Sequence, residues 1–363
     1  MATLRVTAEQ LTIFPHPNAD ALELAQVGLY HAVVPKGAYR TGDYALYIPE
    51  QAILPEALIA ELGLTGRLAG SKKNRVRAIR LRGELSQGIV FRPAAVREID
   101  LAAAHAEGRD FAELLGIVKW VPEVPVHMSG QAVSAPDLLP WLDIEDIKRY
   151  PTVFESGEPV VVTEKIHGSA CLTTVLVDAG TTWVTSKGLG DKRLALVEDE
   201  KNLYWRAVSG WNVTSAAIQL GRLTHASRVG IFAEIYGKGV QDLGYGANAR
   251  GQGERPGYAV FDVAVDVKEH IRWLDPDELV ELLGRIELRL PVVPRVYSGP
   301  YDEQAVLAMA HGMEQVSGRG EHIREGVVIR PAQGRYSSVL GGRAILKAVS
   351  EAYLTRQGGT EYE

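Results

Sequence analysis

A lysine amine attacks only after it has lost its proton, so the lysines to weigh first are those that local structure could aim into a cleft. Lys165 is one. It stands in Thr163-Glu164-Lys165-Ile166-His167-Gly168-Ser169, at the end of the run Val160-Val161-Val162-Thr163 and three residues before a glycine. β-Branched residues favour a strand, and a strand end followed by glycine can turn an amine out of the sheet. With a reference pKa near ~10.4, only about 0.1% of a free lysine is neutral at pH 7.4, which adds roughly 4 kcal/mol to a barrier. Cationic neighbours or a metal would relieve that deficit, because like charge disfavours the ammonium. Lys-x-x-Gly alone is not diagnostic, since Lys187-Gly188-Leu189-Gly190 matches it too. Taken singly, Lys165 reads more often as a solvated strand-end lysine.

Other nucleotide chemistries lack their signatures. There is no Gly-x-x-x-x-Gly-Lys-Ser/Thr loop. Gly251-Gln-Gly253-Glu-Arg-Pro256 carries proline where a dinucleotide or kinase loop needs a third glycine. No Gly-x-Ser-x-Gly elbow or His-Glu-x-x-His pair is present. What does follow Lys165, in order, is Ser186-Lys187-Gly188, then Phe232-Ala233-Glu234-Ile235-Tyr236-Gly237 and Tyr258-Ala259-Val260-Phe261-Asp262-Val263. Glu325-Gly326-Val327-Val328-Ile329-Arg330 and Arg343-Ala344-Ile345-Leu346-Lys347 complete the series. Each lies on or beside an expected strand. This ordered set resembles the covalent nucleotidyltransferase superfamily of ATP-dependent ligases and capping enzymes, over about residues 143–356. Lys-Ile-His-Gly is similar to its RNA ligase 2 branch.

The resemblance implies a reaction and a cast. The Lys165 amine attacks the α-phosphate of ATP, pyrophosphate leaves, and Mg2+ or Mn2+ assists. Lys347 is the best cationic neighbour, and like Lys187 it could hold phosphate oxygens. Glu234 and Glu325 organise metal and nucleotide, with Glu234 near the ribose. Phe261 stacks on adenine, Glu164 reads its amino group, and Gly168 completes the nucleotide site. Simpler readings stand beside these: Phe261 alternates with Val260 as a core residue would, and Glu234, between Ala233 and Ile235, could face solvent. Two positions depart from the pattern. Ala170 stands where related ligases often have Asn, putting metal hydration in doubt. Val349 stands where they tend to have a second lysine, putting α-phosphate contacts in doubt.

The elements that must position these residues fall into an α+β arrangement. Residues 1–118 read as a mostly β domain, with runs such as Ala45-Leu46-Tyr47-Ile48 and Gly88-Ile89-Val90-Phe91 and a helix near 101–115. Prolines at 122, 125, 136 and 140 mark 119–141 as a linker. From 142 to 363 the pattern gives strands at 160–163, 229–236, 258–265, 326–330 and 343–349, and a hairpin turning at Asp178-Ala179-Gly180. Helix is expected over 193–224 and from Pro276, with Asp275 as N-cap and Glu278 three residues on. Strands and helices do not alternate regularly, so antiparallel sheets flanked by helices are expected.

The first domain carries its own motifs. Phe14-Pro15-His16-Pro17-Asn18-Ala19-Asp20-Ala21-Leu22-Glu23-Leu24, with Leu81-Arg82-Gly83-Glu84-Leu85-Ser86-Gln87-Gly88, resembles the tRNA-binding OB-fold module of some aminoacyl-tRNA synthetases. The resemblance implies an OB-fold β-barrel that binds nucleic acid; His16 is read as capping a turn. Arg67, Lys72, Lys73, Arg75, Arg77, Arg80 and Arg82 occur with no acid among them. A bulge near 78–79 would turn Arg75, Arg77, Arg80 and Arg82 all outward as a phosphate-binding face. Only 16 residues follow Lys347, so the N-terminal OB domain is expected to serve as the clamp that relatives place after their last motif.

Bulk properties agree. Hydrophobic residues make up 46% and charged residues 23%, and the net charge of −6 leaves nucleic-acid contact to a local patch. A single cysteine, Cys171, excludes an intrachain disulfide. The N-terminus lacks a signal-peptide core, and no apolar run approaches the ~20 residues of a membrane helix, so a cytoplasmic protein without membrane contact is expected. The leading expectation is an ATP-dependent RNA ligase acting on RNA, or an RNA-containing duplex, with a nick or break, and needing no obligatory protein partner. The alternatives are a capping-type nucleotidyltransferase and a tRNA-binding protein with an inactive transferase domain.

Overall fold

The run Ala45-Leu46-Tyr47-Ile48 is apolar without alternation because both of its faces are covered. In the computed structural model, which describes residues 4–141, 143–249 and 255–359, Tyr44–Ile48 is the middle strand of an antiparallel sheet between Thr7–Gln10 and Ile89–Phe91. Leu46 and Ile48 pack with Val6, Ala8, Leu101 and Phe111. Ala45 and Tyr47 pack on the other side with Ala25, Val27, Ala32 and Val34. The latter four come from a second antiparallel sheet, Thr12–Pro15, Leu22–Val27 and Tyr30–Pro35. Its outward positions include Phe14 and His31. The helix expected over 101–115 spans only Leu101–Ala106. Asp100 starts it by accepting from Ala102 N and Ala103 N, and Gly108, at φ 62, ends it in the left-handed region that glycine tolerates.

By compactness the chain divides into two units, one running to Val121 with Glu145–Pro151, the other comprising Pro122–Ile144 and the residues from Thr152 onward. Residues 119–141, read as a linker, contain structure. Val118–Lys119 pairs with Ala52–Ile53, Ala132–Ser134 pairs with Leu194–Leu196, and Met128, Ala135, Leu138 and Leu139 are buried.

Among the described residues the second unit holds two large antiparallel sheets and a two-stranded one, Tyr336–Ser337 with Gly342–Arg343. The larger has seven strands in the order Ala132–Ser134, Leu194–Leu196, Thr182–Ser186, Ser169–Leu176, Arg228–Tyr236, Gly257–Val267 and His270–Trp273. Period-two alternation sorts its faces. Cys171, Val175, Val229, Ile231 and Ala233 pack under the helices Leu203–Gly210, Val213–Thr224 and Pro276–Arg285, whereas Leu172, Phe232 and Ala264 point away from them. Leu220, fully buried there, is a position where truncation to alanine costs about 2–5 kcal/mol. The smaller sheet includes Leu346–Val349, Gly326–Pro331, Pro159–Lys165 and Arg295–Pro300, side by side in that order.

Three local expectations are corrected. The stretch 193–224 is a strand, a turn and two helices: Asn202 caps the first helix through Tyr204 N and Trp205 N, and Asn212, at φ 52, separates it from the second. The strand expected over 343–349 is two strands, Gly342–Arg343 and Leu346–Val349. A helix does begin at Pro276, but the Asp275 carboxylate makes no cap. It accepts from Gly334 N at 2.7 Å, and Glu278 is engaged by Arg272. Gly251 and Gly253, weighed above as part of a nucleotide loop, lie outside the described residues. Among the described residues no helix is long and apolar enough to cross a membrane.

Candidate active site

Register alone gathers part of the site. Lys165 lies opposite Gly326, which lies opposite Val349; Thr163 lies opposite Val328, which lies opposite Lys347. Directly paired residues share a face, so Lys165 and Lys347 rise from the same side of the smaller sheet. Gly326 is required in this row, because a Cβ there would collide with the Ala348 carbonyl oxygen. Lys165, the last strand residue, places its Nζ 2.7 Å from Oε1 of Glu325, with side chains 28% and 8% exposed. The other oxygen, Oε2 of Glu325, is buried without a hydrogen-bond partner.

Three residues later the chain passes to the larger sheet, and Gly168 permits the crossing. A Cβ at Gly168 would collide with the carbonyl oxygen of Ile235 and press on Cγ of Glu234. Glu234 sits on the face turned away from the helices, opposite Ala170 and Ala259. Loss of solvation pushes its carboxyl up to about 8; the charge of Lys165 opposes this, Glu325 adds to it, and the Gly168 N–H bond opposes it. Glu325 thus contacts the ammonium, and Glu234 lies within reach of its charge. Ser186 pairs with Cys171, which brings Lys187 level with the Ala170–Glu234 row. Lys187 itself is in an ion pair with Asp143.

Phe261 owes its position to a bulge. Phe232 pairs with Asp262 and Ala233 with Val260, leaving Phe261 as the extra residue. Its ring therefore turns to the face that carries Phe232, 6.5 Å between centroids. Buried charges hold the bulge. Arg330 donates to the Phe261 carbonyl at 2.7 Å and lies 3.3 Å from Asp262, whose other oxygen accepts from Arg343 at 2.6 Å. Burial pushes the Arg330 pKa down, and Asp262 opposes that shift.

Glu164 occupies the opposite face of its strand from Lys165. Its side chain is fully covered, accepts from Gln315 N at 2.8 Å and lies 3.6 Å from Arg324. Burial pushes its carboxyl up to about 7, against the pull of the Gln315 N–H and Arg324, and its Oε1 has no hydrogen-bond partner.

Sequence reasoning missed the network behind the Lys165–Gly168 turn. His167, 5% exposed, meets Asp242 through Nε2 at 2.8 Å and the Tyr353 hydroxyl through Nδ1 at 2.8 Å. Asp242 and Tyr353 thus hold the imidazole by its two ring nitrogens. The His167 N–H donates to the Tyr245 hydroxyl at 2.8 Å, and Arg356 pairs with Asp242. Nothing in the local sequence of Asp242 or Tyr353 signals this, since they stand 75 and 186 residues away. Among the described residues, no group of three or more His, Cys, Asp and Glu forms a cation cage.

In the first unit the basic run divides. Arg67, Lys72, Lys73, Arg80 and Arg82 are exposed, while Arg75 and Arg77 are half-buried. Arg75 does not join an outward row: its guanidinium stacks 3.9 Å over the Trp120 ring. Burial alternates through Val76 and Ala78 and then breaks, with Ile79 and Arg80 both exposed. His16 caps a turn, accepting from Asn18 N at 3.1 Å, and its Nε2 lies 3.1 Å from the Leu81 carbonyl.

Comparison with known proteins bears on both units. The sequence model of the RNA ligase family matches residues 158–349, and an OB-fold domain model matches residues 4–93. No curated protein matches the chain. Among solved structures, the Naegleria gruberi RNA ligase with PPi superposes with a TM-score of 0.77 at 22% identity, covering 97% of this chain and 98% of that one. A mutant of the same ligase with ATP and Mn gives 0.77 at 24% identity, over 97% and 98%. Another mutant, with AMP and Mn, gives 0.78 at 23% identity, over 97% and 98%. At these identities the likeness establishes the shared fold: an N-terminal OB-fold domain followed by a domain of antiparallel sheets with helices.

Proposed function

The chain belongs to the RNA ligase family, and from that premise we propose that it uses ATP to seal 3′-OH and 5′-phosphate RNA ends through AMP carried covalently on Lys165. One observation carries the reading. The Lys165 amine stands at a half-buried strand end 2.7 Å from the Glu325 carboxylate, beside Glu234, and on the same sheet face as Lys347.

The chemistry follows from that placement. Lys165 passes one proton to Glu325, the acceptor already in contact, its nitrogen bonds to the α-phosphorus of ATP, and the second proton that nitrogen must lose leaves with the pyrophosphate. The bond from that phosphorus to the bridging oxygen breaks, and pyrophosphate leaves with the electron pair. A 5′-phosphate oxygen of RNA then takes the adenylyl group, and the N–P bond breaks to return the amine. Finally the 3′-OH oxygen bonds to the activated 5′-phosphorus and releases its proton to solvent, the bond from that phosphorus to AMP breaks, and AMP departs to leave a phosphodiester. Lys347 and Lys187 would hold phosphate oxygens, Lys187 giving up its ion pair with Asp143 to do so, and the Phe261 ring would stack on the base.

Glu234 and Glu325 would hold Mg2+ or Mn2+, which supplies neutralisation of phosphate charge. Two carboxylates, one with an unpartnered buried oxygen, fit a cation that completes its shell with phosphate and water. The solved ligases of like fold that carry ATP or AMP with Mn support this. The reading of an inactive transferase draws on Val349, in the row of Lys165, and Ala170, opposite Glu234; the intact Lys165–Glu325 pair favours catalysis. A nicked RNA duplex labelled at the internal 5′-phosphate tests the proposal. Sealing that requires ATP and a divalent cation, with GTP inert, is expected. No sealing of any RNA break under those conditions overturns it.

A further inference from the structure

The outer face of the sheet Thr12–Pro15, Leu22–Val27, Tyr30–Pro35 carries an exposed aromatic pair. Phe14 pairs with Leu24 and Thr12 with Gln26, while Leu24 pairs with Val33 and Gln26 with His31. Phe14 and His31 therefore share the face opposite the core residues Ala25 and Ala32. Phe14 is 41% exposed, His31 is exposed, and their rings meet edge-on at 6.2 Å. An apolar ring left this open beside an aromatic partner offers a flat surface for another π-system.

A basic hairpin is attached to the strands that carry these rings. The hairpin Ile79–Leu81 and Glu84–Ser86 turns at Arg82 and Gly83, with Arg80 and Arg82 exposed at the end of the acid-free run 67–82. It is tied to the aromatic face at two points. His16, two residues past Phe14, contacts the Leu81 carbonyl. On the other side Gln87 N donates to the His31 carbonyl at 2.8 Å, and Val33 N donates to Ser86 Oγ at 3.0 Å. The buried histidine of the Phe-Pro-His-Pro-Asn segment thus positions the basic hairpin against the rings.

We propose that Phe14 and His31 form a base-stacking platform for single-stranded RNA, whose backbone phosphates are held by Arg80 and Arg82. This rests on the ligase reading above for its biological substrate, but its chemistry is separate: aromatic rings take any unpaired base, and adjacent arginines take the phosphates on either side. Bases already stacked in a duplex cannot use the rings, so the site selects unpaired RNA flanking an end.

Binding of a fluorescent single-stranded RNA to the full-length chain, without ATP, tests it across a salt series. Phe14→Ala should weaken binding roughly 5- to 100-fold with the salt slope unchanged, and Phe14→Trp should restore it. Arg80→Ala with Arg82→Ala should also weaken binding, and should lower the slope of log affinity against log salt by roughly 1.4, about 0.7 for each phosphate released. AMP labelling from ATP should be unchanged in all three variants; labelling lost in the wild-type chain would count against the ligase reading alone. Binding by Phe14→Ala at wild-type strength overturns the platform, as does blunt duplex RNA competing as well as the single strand.

Discussion

Positive charge is used in opposite ways by the two units. In the second unit the arginines and lysines around the site are matched to carboxylates at short range: Lys165 with Glu325, Lys187 with Asp143, Arg330 and Arg343 with Asp262, Arg324 near Glu164. Most of these groups are largely buried. In the first unit Arg67, Lys72, Lys73, Arg80 and Arg82 lie exposed in a stretch without acids. A buried charge must be paired and thereby acquires a fixed position. An exposed one acts at a distance and is screened by salt. The first arrangement suits the placing of reacting atoms, the second the gathering of a polyanion.

The largest effect should come from breaking a site pair. Glu325→Ala should lower sealing about 1,000-fold, since it removes both a proton acceptor and a cation-binding oxygen. Circular dichroism should be unchanged, and activity that survives in EDTA would contradict the metal part of the account. Next is the buried cluster beneath Phe261. Arg330→Met leaves Asp262 with one charged partner and frees the Phe261 carbonyl, so urea unfolding should show a loss of about 3 kcal/mol. Arg80→Ala, by contrast, should shift stability by no more than about 0.5 kcal/mol. Equal losses at the two positions would erase the distinction between the units.

A smaller effect, with a sign fixed by pH, concerns Glu234. Its carboxyl is raised from the ordinary 4.5 to about 8 in the folded chain, so ionisation opposes folding. Below 4.5 the group is neutral in both states and contributes nothing. Between 4.5 and about 8 the unfolded chain gives up the proton first, so stability falls as pH rises, and above 8 the whole penalty is present. Glu234→Gln should therefore melt higher than wild type at pH 8.5 and the same near pH 4.5, while losing activity. A difference independent of pH would place the cause in packing.

How much of this the sequence displays depends on the range of the interaction. Lys165, Glu234, Glu325, Phe261 and Lys347 stand out because each sits in a strand-like segment whose order along the chain is informative, and antiparallel pairing then brings Lys165 and Lys347 to one face. The Phe261 bulge is invisible beforehand: one extra residue within Tyr258-Ala259-Val260-Phe261-Asp262 leaves an apolar run looking like an ordinary buried strand. Leu194-Ala195-Leu196 reads equally well as helix or strand until its pairing with Ala132–Ser134 is known. Arg75 resembles the other members of the basic run, and only the return of Trp120 to its side turns it inward. The His167 network depends on residues from the chain's far end, which no local pattern connects.

Lys165 as the nucleophile is open to test by covalent labelling. Incubation with α-labelled ATP and Mg2+ or Mn2+, followed by denaturation, should leave label on the wild-type chain. That label should be lost in acid, as a phosphoramidate is, and peptide mapping should place it on the segment Thr163–Ser169. Lys165→Ala should carry none. Label that persists in Lys165→Ala, on Lys187 or elsewhere, would contradict the account.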